Sequence, residues 1–255
     1  MKSLTKKISL LLILSATLFL GSCLDSRGRH YTGNLELSYV TEGDFGVIYA
    51  RTLAGYFITS PKISQLTPGR ITRISYQVKP DEDKQTVVDT DPLGNTIVAF
   101  EAEVSPEFEP LEHTTLNIST APTDNTGERF ESFMNPIFAS NIYFGDRWIF
   151  PYTYKAKKGE SAKVSFYLAS DEDAKNAYSD VLIDVRLEKL GSAENDAIEK
   201  IEGDDIVADF SEIRLMFADK ANQEGNINIK FRYYRSNMQE PSISNNPFSM
   251  HIGTN

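Results

Sequence analysis

The stretch RWIFPYTY, residues 147–154, decides the fold class of this 255-residue chain. Large aromatic side chains occupy every second position of it: Trp148, Phe150, Tyr152 and Tyr154. Because successive side chains of a β-strand point to opposite faces, this alternation predicts a strand whose aromatic face is buried. The opposite face is mixed and carries Arg147, Ile149, Pro151 and Thr153. A strand with two unlike faces is typical of a β-sandwich.

The aromatic face of this strand has two interpretations. Exposed rings would stack on the apolar faces of sugar rings, which makes Trp148, Tyr152 and Tyr154 candidate ligand-binding residues. In the alternative, the rings form one wall of the hydrophobic core. The core is favoured, because a half-buried strand has to bury one of its faces.

Similar alternation surrounds this stretch and predicts an antiparallel β-sandwich over residues 114–235. The segments that carry it are TTLNIST (114–120), KVSFYL (163–168), VLIDVRLEKL (181–190), EIRLMF (212–217) and INIKFRYY (227–234). Two short segments read as helices instead, EDAKNAYSD (172–180) and AENDAIEKI (193–201). A tail over 236–255 contains PFSMHIG (247–253), which fits a last strand on a sheet edge or a frayed terminus equally well.

The first part of the chain has the same texture in shorter pieces. Five short strands over residues 33–104 predict a small OB-like β-barrel. They are LELSY (35–39), GVIYAR (46–51), GYFITS (55–60), ITRISYQV (71–78) and VAFEAEV (98–104). The following segment, SPEFEPLEH (105–113), contains two prolines and three acidic residues. Since proline cannot donate a hydrogen bond within a central strand, this segment is predicted to be a linker between two domains.

The N-terminus predicts export. Three lysines precede an apolar run over residues 8–20 that is too short for a comfortable membrane span, so residues 1–22 read as a signal peptide. The following LGSC, residues 20–23, resembles the bacterial lipobox, which implies cleavage before Cys23 and acylation of that residue by groups such as palmitate. Residues 23–32 would then be a tether. Cys23 is the only cysteine of the chain, and the alternative to acylation is that it stays a free thiol.

The charge balance excludes one class of partner. Removal of the leader takes three of the 26 basic side chains and leaves 36 acidic ones, so the mature chain has a net charge of −13. Such a surface repels phosphate backbones, and nucleic acid is not expected as a partner. The expected partners are a membrane, through the lipid on Cys23, and a protein or glycan of the bacterial cell envelope. The predicted location is the outer membrane, on either side of it.

Signals for catalysis, metals and cofactors are weak. The three histidines, His30, His113 and His251, lie far apart in the sequence, and no HExxH, GxSxG or CxxC motif accompanies them. DTDPLGN, residues 89–95, resembles a calcium loop but has Leu93 at a ligand position, so an Asp-Pro turn is favoured. EGDD, residues 202–205, reads as a cap or turn. The sequence therefore predicts no enzyme, metal or cofactor.

The order of these segments resembles the NigD-like lipoproteins. The matching stretches are residues 55–78, GDRWIFPYTY (145–154), KVSFYLASDED (163–173), DVLIDVRLEKLG (180–191), VADFSEIRL (207–215) and GNINIKFRYY (225–234). A Pro68-Gly69 turn stands where the family has Asp-Gly. The resemblance implies a lipobox leader, an OB-type barrel and a sandwich, without established enzymatic activity. We expect a lipid-anchored binding or accessory protein; the alternatives are a bacteriocin-associated immunity-type factor and, third, an exported hydrolase.

Overall fold

A computed structural model describes residues 30–91, 93–122, 128–137, 144–222 and 224–252. These residues form two sheets, and the fold is all-β, as predicted, with a curled barrel-like sheet followed by a sandwich. The predicted leader, the lipidation site Cys23 and most of the tether lie outside the described residues. Within the ranges given above, no helix has the length and apolar character needed to cross a bilayer.

The first sheet has seven strands. They are β1 (Tyr31–Glu42), β2 (Ile48–Thr52), β3 (Phe57–Thr59), β4 (Ile71–Val78), β5 (Gln85–Thr90), β6 (Thr96–Glu101) and β7 (Glu103–Pro110). Their order is β5-β6-β3-β2-β1-β4-β7. In β4 the predicted alternation is confirmed, since Ile74, Tyr76 and Val78 are all buried. The predicted strand VAFEAEV is divided at Ala102 between β6 and β7.

A bulge in β1 breaks the alternation that a regular strand over LELSY would have. The pairing of β1 with β4 shifts register between Gly33 and Glu36. Leu35 within the bulge has a positive φ of 45° and is 39% exposed, so it does not share the buried face of Leu37. A bulge places an extra residue in one strand and increases its bend, which here helps the sheet to curl.

The second sheet has nine strands. They are β8 (Glu112–Asn117), β9 (Phe130–Phe133), β10 (Arg147–Ala156), β11 (Glu160–Leu168), β12 (Val181–Gly191), β13 (Lys200–Asp209), β14 (Asn226–Tyr233), β15 (Ser242–Ile243) and β16 (Phe248–His251). The order is β15-β14-β12-β11-β8-β13-β10-β9, and β16 pairs with β14 beside β15. The strand expected in the tail thus pairs within its own chain. Three of the pairs are parallel, namely β8 with β11, β8 with β13 and β12 with β14.

The two ends of this second sheet meet. Bridges join Phe130 to Arg235 and Glu128 to Leu187, so that β9 returns to the strands at the other end of the order. The sheet encloses the main core, in which Phe150 lies 4.9 Å from Phe231 and 5.1 Å from Phe166 between ring centres. Aromatic rings of β10 therefore supply the centre of the sandwich.

The opposite face of β10 is buried in part, at Ile149. Ile149 belongs to an apolar cluster that joins both sheets, together with Leu37, Ile71, Leu111, Phe144 and Val207. Beside it, Arg73 of β4 forms an ion pair with Asp205 of β13. The mixed composition of this face follows from its position, because it packs against the first sheet over part of its area and meets charged side chains elsewhere.

The prediction that residues 105–113 form a linker is wrong, because all of them except Leu111 lie in strands. Residues 105–110 lie in β7, which pairs with β4, and residues 112–113 begin β8. The prolines are tolerated because β7 is at the edge of its sheet, where one side of the strand has no ladder partner. Leu111 alone separates the last strand of the first sheet from the first strand of the second. The division into two domains stays a prediction.

Three local predictions in the second half need correction. EIRLMF is not a strand, because residues Ser211–Met216 form a helix, α2, in which Leu215 is 81% exposed. AENDAIEKI is not a helix; Asp196 has a positive φ of 59°, and β13 begins at Lys200. EGDD lies inside β13 and not in a turn. EDAKNAYSD does contain a helix, α1 (Asp171–Asn176), which is preceded by an N-cap serine.

Candidate functional site

The predicted aromatic platform lies in the core. Trp148 and Tyr152 are 3% exposed and Tyr154 is 9% exposed, and all three belong to the main core cluster. Burial raises the pKa of the Tyr152 hydroxyl, and the nearby carboxylate of Asp204 raises it further. Rings enclosed in this way present no open face for a sugar to stack on. The structure thus agrees with the core interpretation and corrects the assignment of these residues as a ligand platform.

A groove of about 570 Å³ lies nearby, where the second sheet is incompletely joined. We call it the edge groove and define it by two sets of residues: the floor rings Phe133, Tyr233 and Phe248, and the rim amides Asn135, Asn245 and Asn246. Its volume is within the range of about 300–1,000 Å³ found for small-molecule sites in proteins.

The groove exists because β9 leaves the end of β14. At its start, the Phe130 N–H donates to the Tyr234 carbonyl (3.0 Å), and the Ser236 N–H donates to the Phe130 carbonyl (2.9 Å). Farther along, Phe133 is paired with Tyr152 of β10 instead. On the other side, β15 and β16 pair with β14 and leave the space between themselves and β9 open.

The floor of the groove is continuous with the aromatic core. Phe133 is half-buried, stacks on Phe150 at 5.2 Å, and lies 5.0 Å from the ring of Tyr233. Phe248 contacts the fully buried Phe231 at 5.8 Å between ring centres. Because these rings are held from below by core packing, the floor is rigid and its upper ring faces are in fixed positions.

The rim of the groove carries three amides beside the exposed apolar side chains of Met134, Met238 and Ile243, and no acidic residue is among the described residues that line it. Asn135, Asn245 and Asn246 are exposed, and none of the three side chains makes a hydrogen bond to any part of the protein that the structure describes. Ser244 is engaged, since its Oγ accepts from the Phe231 N–H at 3.1 Å. Arg235 is the charged residue that lines the groove. The rim therefore offers unpaired amide donors and acceptors.

A second cavity, of about 600 Å³, lies beside β12 and α1 and contains charged residues that pair with one another. Asp184 is 3% exposed and accepts hydrogen bonds from Arg232 Nε at 2.6 Å and Arg232 Nη2 at 2.8 Å. Arg232 also contacts Asp173, and these hydrogen bonds raise the pKa of the Arg232 guanidinium. A buried carboxylate in a bidentate pair with a guanidinium serves the fold, since it connects β12 to β14.

The histidines occupy separate structural roles. His113 of β8 accepts a hydrogen bond from the Ile71 N–H at 3.0 Å, and burial together with the charges of Arg70 and Arg147 lowers the pKa of its imidazole to about 4. His251 contacts the Asn226 side chain at 3.2 Å. Among the described residues, no group of three or more His, Cys, Asp and Glu side chains is placed to hold a metal ion.

The calcium-like segment DTDPLGN is a turn, as favoured from the sequence. The Asp91 carboxylate accepts from the Leu93 N–H at 2.9 Å and from the Asn95 N–H at 2.7 Å, and hydrogen bonds from Asn95 lower the pKa of this carboxyl. Asp89 accepts from the Tyr49 hydroxyl at 2.6 Å. Asp91 thus holds the turn between β5 and β6, whereas Asp89 connects β5 to Tyr49 of β2.

The residues of the edge groove were missed by the sequence reasoning. Phe133 and Asn135 fall in a segment that has no alternation, and Asn245 and Asn246 fall in a polar connector before the last strand. Two adjacent asparagines followed by proline are a weak signal of an exposed loop. No local pattern joins these segments, because they are more than a hundred residues apart.

Comparisons with known proteins find no matching family model and no matching curated protein. Solved structures do match. An uncharacterised protein from Parabacteroides merdae is 13% identical with a TM-score of 0.54, covering 86% of this chain and 99% of its own. A protein from Parabacteroides distasonis, described as toxin-related, is 10% identical with a TM-score of 0.50, covering 88% and 94%. At such identities the likeness shows the fold alone.

The matched structures also include an immunity protein from Bacteroides caccae that is described as NigD-like. NigD-like lipoproteins are the family that the sequence segments resemble. The Bacteroides caccae protein is 15% identical with a TM-score of 0.49, covering 87% of this chain and 98% of its own. The shared fold itself is shown over most of this chain by the two Parabacteroides structures.

Proposed function

We propose that this chain is a non-catalytic binding protein of the bacterial cell envelope, anchored by lipid on Cys23, which takes its ligand in the edge groove. The observation that carries the proposal is the groove itself. It combines a rigid aromatic floor with three amides, Asn135, Asn245 and Asn246, that have no partner within the described part of the chain. Groups of this kind bind and orient a ligand, and they supply neither a general base nor a nucleophile.

The position of the anchor agrees with a role at the membrane surface. Strand β1 begins at Tyr31, eight residues after Cys23. Even a fully extended segment of that length spans less than about 30 Å, at about 3.5 Å per residue. An acylated Cys23 would therefore keep the folded body, and its groove, close to the bilayer surface, where other envelope components are concentrated.

The alternative is an immunity-type factor that neutralises a protein toxin. It follows from the name of the NigD-like family that the sequence resembles. Two of the matched structures are described as a NigD-like immunity protein and a toxin-related protein, and those descriptions apply to the matched proteins themselves. Both functions would use an exposed binding surface, so they are separated by the identity of the ligand, a glycan or accessory partner in one case and a toxin in the other.

The anchor is tested by metabolic labelling with an alkyne analogue of palmitate. The wild-type chain should incorporate the label and fractionate with membranes, and Cys23→Ala should lose both properties because no thiol is left to acylate. Ser26→Ala is the matched control and should behave like the wild type. A Cys23→Ala protein that loses its leader and still stays with membranes would contradict the anchor.

The groove is tested by site-specific cross-linking in intact cells. A photoreactive amino acid at Asn246, on the rim, should form adducts with an envelope component, whereas the same group at the exposed Asn195 should not, because Asn195 lies away from the groove. Equal adducts at both positions, or none at Asn246, would refute the binding site. Analysis of the adduct decides between the alternatives, since a captured toxin supports the immunity-type function.

A further inference from the structure

The class of ligand follows from the chemistry of the edge groove, an inference that rests on the proposed function. The floor supplies the aromatic side chains of Phe133, Tyr233 and Phe248. Flat rings of this kind pack well against ligands with extended apolar faces that still carry polar groups around their edges. Pyranose rings have this construction, since their axial C–H groups form apolar faces and their hydroxyls point outward.

The rim matches those outward hydroxyls. Each of the amides of Asn135, Asn245 and Asn246 has two donor hydrogens and a carbonyl acceptor, so one amide is able to bond two neighbouring hydroxyls at once. These amides are exposed and unpaired within the described residues, and binding therefore breaks no hydrogen bond inside the protein. Aspartate and glutamate also accept hydrogen bonds from hydroxyls, but neither is among the described residues that line the groove, so the amides supply the side-chain acceptors of the rim.

The charge of the groove favours an uncharged ligand or one with few negative groups. The whole chain carries 36 acidic and 26 basic residues, yet Arg235 is the one charged residue among the described residues that line the groove. A cationic ligand would find no partner there and would be drawn to the acidic surface elsewhere. A strongly anionic polymer would be repelled by that surface.

The strands beside the groove do not suit the addition of a peptide strand. Strand addition needs a run of free backbone groups along an exposed edge. Here β15 has two residues and β9 has four, and prolines adjoin both edges: Pro136 after β9, and Pro241 and Pro247 on either side of β15. Short edges interrupted by proline are features that prevent such pairing.

From this combination we infer that the edge groove binds a short neutral oligosaccharide. Its sugar rings stack on Tyr233 and Phe133, and its hydroxyls bond to the rim amides. The volume of about 570 Å³ is suited to a ligand of a few sugar units, and the open rim lets a longer chain continue outward.

The inference is tested with the full chain in detergent against a panel of neutral oligosaccharides from two to six pyranose units long. The panel covers glucans, xylans, mannans and galactans. Calorimetry should give a dissociation constant in the micromolar to low millimolar range for at least one of them. Saturation-transfer NMR should show the ring C–H protons of that sugar nearest to the protein, because stacking on aromatic rings brings them into contact.

Substitutions locate the site. The double variant Asn245→Ala with Asn246→Ala should weaken binding about tenfold or more, since two hydrogen bonds worth about 1 kcal/mol each are lost. Both residues are exposed, so the unfolding midpoint should not change. Asn195→Ala, an exposed amide outside the groove, is the matched control and should bind as the wild type does.

Two results would overturn the inference. If no sugar of the panel binds at millimolar concentration while cross-linking at Asn246 captures a protein, the groove is a protein site; the proposed function survives and the glycan inference fails. If a sugar binds and the double variant binds it unchanged, the site lies elsewhere on the chain. Absence of any adduct at Asn246 would instead count against the proposed function itself.

Discussion

Protonation of His113 should destabilise the fold at mildly acidic pH. Its Nε2 accepts a hydrogen bond from the Ile71 N–H and so connects β8 of the second sheet to β4 of the first. A protonated imidazole carries N–H groups at both nitrogens, and two N–H groups would then face each other. Burial and the nearby charges of Arg70 and Arg147 add to this cost and lower the pKa of His113 to about 4.

The magnitude and sign follow from linkage. The folded-state pKa is below the ordinary value of 6.5, so the unfolded chain binds more protons, and this contribution to stability is complete above about pH 6.5 and is lost as the pH falls towards 4. A pKa of about 4 corresponds to a loss of about 3 kcal/mol at the acid limit, of which about 2 kcal/mol is reached by about pH 5. Because the ring is only half-buried, solvent reduces this to about 1–2 kcal/mol.

The assay compares urea unfolding of the wild type and His113→Gln at about pH 7.5 and at about pH 5. Glutamine keeps a carbonyl that accepts from the Ile71 N–H, but it does not titrate. Other acid-sensitive groups affect both proteins equally, so the wild type should lose about 1–2 kcal/mol more than the variant between the two pH values. Parallel losses in the two proteins, or an imidazole NMR titration with its midpoint near 6.5, would refute the reasoning.

Three further predictions concern the sandwich, and each is measured as an unfolding midpoint. Trp148→Ala should cost about 3–5 kcal/mol, because the ring is almost fully buried; an unchanged midpoint together with an indole that is readily quenched would contradict the core position. Arg232→Met should cost about 3 kcal/mol or more, since it leaves Asp184 buried without its bidentate partner, whereas Lys220→Met at an exposed pair should change stability by less than about 1 kcal/mol. Deletion of 247–255 should destabilise the sandwich by removing β16 from β14, and an unaltered midpoint would show that this strand adds nothing.

The strands whose pattern is local could be predicted from the sequence. Ile74, Tyr76 and Val78 in β4 and the aromatic residues of β10 are buried at every second position, as the alternation requires. A strand exposes its two faces in strict alternation whatever its partners are, so the pattern is present in the sequence before any pairing is known. The signal peptide and Cys23 also depend on a linear motif and stay predictions of that kind.

The predicted secondary structure was wrong where one pattern of buried residues fits both a strand and a helix, and where the position of a strand within its sheet decides whether proline is tolerated. Ile213 and Phe217 are both buried, and their spacing of four residues fits one face of a strand as well as one face of a helix; the helix α2 is distinguished by the exposed Leu215 between them. The prolines in residues 105–113 argue against a central strand, but only the strand order reveals that β7 lies at an edge.

The order of the strands, the burial of Ile149 on the second face of β10 and the edge groove were decided by tertiary structure. Ile149 is buried because the first sheet packs against it, which no pattern within β10 announces. Phe133 meets Tyr233 because β9 returns to the end of β14, and the asparagines approach because β15 and β16 pair with the same strand. Periodicity reports which face of a strand is apolar, whereas a groove is made by segments a hundred residues apart whose contact depends on how the whole sheet closes.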